Sequence, residues 1–185
     1  MKTKELTLCA FFTVLFVISS KVVIPVGLIP LTLQTCSLIL AGVLLSPKHI
    51  IISYGLFLTM GLLGLPVFAS GGGISYVLQP SFGFLLSFPV AACVISILRT
   101  RFHIQSFYQL LPVCLFGILI VYFIGCAYMY GILNFYMGVE KDIIGIISIG
   151  AAPFVISDSI STALGCICGL RLAQIPVVER MLHSA

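Results

Sequence analysis

Ala151-Ala-Pro-Phe-Val-Ile-Ser-Asp158-Ser-Ile-Ser-Thr162 contains Asp158, the one acidic residue with long apolar sequence on both sides. The other four, Glu5, Glu140, Asp142 and Glu179, lie near the termini or in a polar turn. An ionisable side chain inside a membrane-type segment costs roughly 2.5–3.5 kcal/mol even on insertion scales, so it marks a functional site by default. Pro153 suits the first turn of a helix and would break an interior. Asp158 therefore falls close to a helix N-terminus, where negative charge is favoured. Two roles are open to it. It caps the helix, or it points into a cavity and accepts hydrogen bonds from the N–H groups of a ligand.

The rest of the chain says what surrounds this residue. Of 185 residues, 61% are apolar and 8% charged, with a mean hydropathy of +1.26. A soluble domain carries about 25% charged residues. At about 20 apolar residues per crossing, the chain has room for roughly six helices. The expected fold is an all-α integral membrane protein, one domain over residues 1–185. Helices are expected at about 6–21, 32–45, 50–65, 84–98, 110–130 and 156–172, with 173–185 as a cytoplasmic tail. Leu6–Ser20 reads as the first of these helices rather than a signal peptide, because the following sequence is equally apolar.

Two connections stand out. Val22–Thr32 contains Pro25, Gly27 and Pro30 and reads as an irregular link. Leu65–Gly83 contains Gly71-Gly-Gly73, two prolines and Gln79 yet keeps its aromatics. Such backbone is tolerated at membrane depth only when buried in protein or lining a wet cavity. Ile143–Ala152 reads as a short, glycine-broken lead-in to the last helix.

Charge sets the orientation. Six helices put both termini on one side, together with Lys2, Lys4, Lys48, Arg99, Arg101, Arg171 and Arg180. Only Lys21 and Lys141 fall on the other side. By the positive-inside rule both termini are cytoplasmic. The two unusual connections and the approach to Asp158 then meet on the outer side, where a ligand would arrive.

Seven cysteines lie mostly within apolar runs without metal-type spacing, and they read as buried free thiols. The chain lacks H-E-x-x-H, G-x-S-x-G and Walker A patterns. No enzyme activity, cofactor, metal or nucleic-acid partner is expected. His49, His103 and His183 fall in basic turns or the tail.

Ile24-Pro-Val-Gly-Leu-Ile-Pro-Leu-Thr-Leu-Gln-Thr35, with Leu40-Ala-Gly42 and Leu44-Leu-Ser-Pro47, resembles the outer loop and second helix of the BioY family. These are the biotin-specific S components of energy-coupling factor (ECF) transporters. Gly61-Leu-Leu-Gly-Leu-Pro-Val-Phe-Ala69, Gly71-Gly-Gly and Gln79-Pro-Ser-Phe-Gly-Phe-Leu-Leu-Ser-Phe88 resemble the next signature of that family. Pro153-Phe-Val-Ile-Ser-Asp158 resembles a third, so the likeness covers nearly the whole chain in register. The resemblance implies a membrane subunit for biotin uptake with its pocket at the outer face. The implied partners are the bilayer, a transmembrane coupling subunit and two ATPase subunits. Biotin's ureido ring needs an acceptor, Asp158, and a donor, for which Gln34, Thr35, Gln79 and Tyr76 are candidates. Its thiophane ring and valeryl chain need walls, available in Phe68, Phe82, Phe84 and Phe88. The family commonly carries a lysine three residues after this aspartate, facing the biotin carboxylate. Here Ser161 occupies that place, and Lys21, at the outer end of the first helix, is expected to replace it. Ser161 itself is the alternative contact. The family's small-xxx-small pattern on the first helix is reduced to Ala10, with Val14 four residues on. An S component for another small vitamin and a membrane enzyme with Asp158 as base are the competing readings.

Overall fold

In hydrocarbon every backbone N–H and C=O must find an internal partner, so apolar segments of this length fold as helices. The computed structural model describes residues 3–26 and 29–174. The chain runs α1 (Thr3–Lys21), β1 (Val23–Val26), β2 (Ile29–Thr32), α2 (Gln34–Leu44) and α3 (Pro47–Leu62). A 3-10 turn (Ile74–Leu78) precedes α4 (Phe82–Arg101) and α5 (Phe107–Gly131), and α5 runs into a π turn (Ile132–Tyr136). Then come α6 (Ile143–Gly150) and α7 (Val155–Ala173). Each of the six expected helices has a counterpart, in α1–α5 and α7. Four segments are long and apolar enough to cross a bilayer: Thr3–Lys21, Phe82–Arg101, Phe107–Tyr136 and Val155–Ala173. α2 and α3, at 11 and 16 residues, are shorter. The expected tail beyond residue 174, with Glu179, Arg180 and His183, lies outside the described residues.

Two stretches differ from expectation. The link 22–32 contains an antiparallel ribbon with Val23 opposite Thr32 and Pro25 opposite Pro30. Proline cannot donate to a ladder, but both strands of a two-stranded ribbon are edges, where it is tolerated. The lead-in at 143–152 contains a helix of its own, α6, because Asp142 caps it by accepting from the Gly145 N–H at 3.0 Å. The turn before it is held by Asn134, whose Oδ1 accepts from the Lys141 N–H at 2.7 Å.

α2 is the central element. Nine of its eleven residues are buried, and α1, α4 and α7 pack around it. Beside it an aromatic column links α1, α3 and the long loop. Phe16 meets Tyr54 at 4.9 Å, Tyr54 meets Phe57 at 5.2 Å, and Phe57 meets Phe68 at 5.4 Å between ring centroids. The column continues through Phe68–Tyr76 at 4.7 Å and Tyr76–Phe82 at 6.3 Å into α4. Apolar side chains such as Phe11, Leu119, Phe123 and Leu164 are exposed on α1, α5 and α7, as helices facing lipid require. All seven cysteines are free thiols.

The ends of the helices sort by charge. Glu5 on α1 lies 3.9 Å from His49 on α3, so the start of α1 and the start of α3 share one end of the bundle. The last turns of α4 and α7 join them there. That end carries Lys4, Lys48, Arg99, Arg101 and Arg171 among the described residues, and Lys21 and Lys141 lie away from it.

Candidate functional site

Asp158 sits in the first turn of α7, four residues after the N-cap Phe154. Its carboxylate does not cap that helix, since its acceptors are used across the bundle. Oδ1 accepts from the Thr35 hydroxyl on α2 at 2.8 Å, and Oδ2 accepts from the Tyr122 hydroxyl on α5 at 2.7 Å. Hydrogen bonds to an ionised group are worth about 1.5–3 kcal/mol each, enough to offset much of the cost of a carboxylate at this depth. Each carboxylate oxygen has a second lone-pair direction, so the group is fixed in place and still able to accept.

The pocket in front of it draws on all three stretches singled out in the sequence. Ile29 and Thr32 come from β2, Ala69, Tyr76 and Ser81 from the long loop, and Phe154 and Asp158 from the start of α7. Gln34 and Thr35 open α2 at its edge, and Phe84, Leu85 and Phe88 of α4 make the apolar wall with Val121 of α5. Phe84 is seated by close approach to α5. A Cβ at Gly125 would lie 2.4 Å from its Cδ1, so the ring depends on glycine there.

Two polar groups in this pocket are buried without a partner among the described residues: Gln34 Nε2 and the Tyr76 hydroxyl. An unsatisfied buried donor costs about 1–3 kcal/mol, and such groups mark places where a ligand or water completes the bonding. The pocket thus presents one charged acceptor and two neutral donors between aromatic walls. No lysine or arginine lines it among the described residues.

Of the eleven residues expected at the site, Asp158, Gln34, Thr35, Tyr76, Phe84 and Phe88 line this pocket, and Gln79, Phe68, Phe82, Lys21 and Ser161 do not. Phe68 is wholly buried in the aromatic column. Its ring lies flat over α3, where a Cβ at Gly61 would come within 2.0 Å of Cζ. Gln79 ends the 3-10 turn, and its carbonyl accepts from the Phe82 N–H at 3.0 Å. Ser161 is buried one turn deeper in α7. Lys21 donates from Nζ to the Phe68 carbonyl at 2.6 Å. With the Ser20 hydroxyl on the Val67 carbonyl, it ties the end of α1 to the loop. Gly71-Gly-Gly73 is also pinned, by mutual backbone bonds between Phe68 and Gly71 and by the Gly73 N–H on the Gly61 carbonyl at 2.7 Å.

The BioY family model matches residues 1–176. The chain belongs to the BioY family. A relative from Lysinibacillus sphaericus, described as a probable biotin transporter BioY, is 33% identical over 84% of this chain and 80% of its own. One from Pyrococcus horikoshii, described likewise, is 33% identical over 93% of this chain and 98% of its own. The biotin transporter BioY of Thermotoga maritima is 33% identical over 94% and 98%. In three dimensions the chain is similar to the crystal structure of the S-component for biotin from an ECF-type ABC transporter. The TM-score is 0.83 at 29% identity, covering 98% of this chain and 96% of that one.

Tyr122 was not anticipated, although it is the second anchor of Asp158. Its signal lay in its position. Tyr128 and Tyr130 fall near the end of α5, but Tyr122 is well inside it, and a buried tyrosine hydroxyl usually finds a partner. Thr32, Ser81 and Phe154 were likewise unmarked, being small or apolar residues that look like connection and core.

Proposed function

We propose that this chain is the substrate-binding membrane subunit of a biotin uptake system, and that the pocket at Asp158 is where biotin binds. Family membership and the similarity to a biotin S-component support the assignment. The observation that carries it to particular residues is the Asp158 carboxylate, held by Thr35 and Tyr122 beside the unpartnered donors of Gln34 and Tyr76. Biotin's ureido ring offers two N–H donors and one carbonyl acceptor. Asp158 takes an N–H, Gln34 or Tyr76 gives to the carbonyl, and Phe84 and Phe88 flank the thiophane ring and valeryl chain. Ligands without those polar groups leave the same buried atoms unpaired, which a site of this kind rejects strongly.

In this reading residues 1–185 form one membrane domain in the plasma membrane of a prokaryote. α1–α5 and α7 make six crossings, α2 and α3 completing theirs with the loops at their ends. The basic end of the bundle supports cytoplasmic termini, which puts the pocket at the outer face. The chain works with a transmembrane coupling subunit and two ATPase subunits. The deciding experiment is equilibrium binding of biotin, thiamine and riboflavin to the purified protein. Saturable binding of biotin alone is expected, and tighter binding of either other vitamin overturns the assignment.

A further inference from the structure

α2 stops at Leu44 after 11 residues, about 17 Å of rise, while its neighbours α4 and α7 continue to Arg101 and Ala173. A short helix between two long ones leaves space beneath its end. There the structure has a cavity of about 940 Å³, bounded by the α2–α3 corner and the last turns of α4 and α7. The corner is fastened to α4. The Ser96 hydroxyl donates to the Leu45 carbonyl at 2.6 Å, and Arg99 Nη1 donates to the Val43 carbonyl.

The lining has two characters. Val43, Ile97 and Leu170 form an apolar wall, and Arg99, Arg101 and His103 stand at the ends of the helices. Among the described residues no acidic side chain lines it, and Arg99 Nε is buried without a partner. Arg101 and His103 are exposed. Ile97, half exposed at 50%, carries the apolar wall out to the surface that α4 presents to hydrocarbon. Cations at headgroup level above an apolar slot complement a molecule with an anionic head and a hydrocarbon chain, and basic pockets between transmembrane helices take such lipids.

We propose that this cavity binds an anionic glycerophospholipid, its phosphate held by Arg101 and Arg99 and an acyl chain lying along Ile97 and Leu170. The inference rests on α4 and α7 crossing the bilayer and is independent of what the Asp158 pocket binds. A free phosphate fits the cations but leaves the apolar wall wet.

The test is lipid titration of the purified full chain in neutral detergent, followed by native mass spectrometry. The probes are phosphatidylglycerol, phosphatidylcholine, inorganic phosphate and an acidic peptide. Phosphatidylglycerol is expected to bind about tenfold more tightly than phosphatidylcholine. Arg101→Gln, which breaks no bond that holds the fold, is expected to lower that affinity about tenfold. Lys4→Gln removes a charge at the same end but away from the cavity, and is expected to change it by less than about twofold. Arg99→Gln serves as a second variant, with thermal unfolding to show that the α2–α3 corner survives. Equal retention of the two lipids, or equal effects of Arg101→Gln and Lys4→Gln, overturns the proposal. So does full displacement by inorganic phosphate, which makes this a site for the free anion, or by an acidic peptide, which makes it a protein-docking face.

Discussion

Asp158→Asn isolates the chemistry of the site because it changes one atom and one charge while keeping the shape. In the ligand-free protein Oδ1 and Oδ2 accept from Thr35 at 2.8 Å and Tyr122 at 2.7 Å. An amide in the same place keeps one acceptor and turns the other position into a donor. The hydroxyl it faces rotates to accept, so the α2–α5–α7 junction holds. Loss of the buried charge offsets part of the weakened bonds, and melting should move by only a few degrees. Binding has no such escape. The ureido N–H that faced a carboxylate oxygen now faces an amide of lower charge or an opposing N–H. A hydrogen bond to a charged group is worth about 1.5–3 kcal/mol. At about 1.4 kcal/mol per factor of ten, biotin affinity should fall between about tenfold and about 150-fold. Calorimetric titration in detergent beside a thermal unfolding curve measures both quantities on one preparation. An affinity unchanged within about twofold in a protein that melts normally refutes the reasoning and reduces Asp158 to a structural tie between helices.

The same logic separates Tyr122 from the ligand. If Tyr122 acts by aiming the carboxylate, Tyr122→Phe removes one hydrogen bond to a charged group and should cost binding no more than about 1.5–3 kcal/mol. It should add little to a protein already carrying Asp158→Asn, because two residues in direct contact couple. Full additivity in that double-mutant cycle would mean that Tyr122 meets biotin itself.

Three further outcomes are expected. Gly125→Ala places a Cβ 2.4 Å from Phe84 Cδ1 and drives the ring into the pocket. It should cost about 1–3 kcal/mol of stability and weaken biotin binding by calorimetry, and an unchanged affinity would remove Phe84 from the wall. Lys21→Met keeps the apolar stem but drops the bond to the Phe68 carbonyl, so hydrogen exchange over residues 65–73 should quicken. Biotin and biotin amide should then weaken alike; a loss confined to the acid would instead make Lys21 the partner of the ligand's carboxylate. Tyr76→Phe removes a buried hydroxyl with no partner among the described residues, so it should raise the melting temperature of the ligand-free protein and lower biotin affinity. A fall in both would show that the hydroxyl is satisfied without ligand.

Much of the fold was legible because this chain punctuates its helices with residues of unambiguous effect. Lys21, Pro47, Arg101 and Pro153 mark boundaries that composition alone would leave open. Asp158 was legible for the same reason, as the one acidic residue with long apolar sequence on both sides. Tyr122 was not, because one aromatic in an apolar helix looks the same whether it packs or donates. Phe68 is expected among the pocket walls only through the resemblance, as an aromatic of the long loop. No periodicity governs a loop, so its side-chain direction follows from tertiary contacts, here the space over Gly61. α6 escaped because eight residues give too short a pattern, and its start depends on the Asp142 cap rather than on hydrophobic spacing.

The place three residues after Asp158 holds a hydroxyl and no charge. On a helix, positions i and i+3 are neighbours, so a lysine there would bring an ammonium to the same face of α7 as the carboxylate. Ser161 supplies no charge and is turned into the core at 7% exposure. The carboxylate is instead supported from two other helices, by Thr35 on α2 and Tyr122 on α5. Hydroxyl donors hold a carboxylate in position without cancelling its charge, which leaves Asp158 the strongest acceptor in the pocket. They also make its position depend on how α2, α5 and α7 sit together, and α2 is joined through β2 to the ribbon over the pocket.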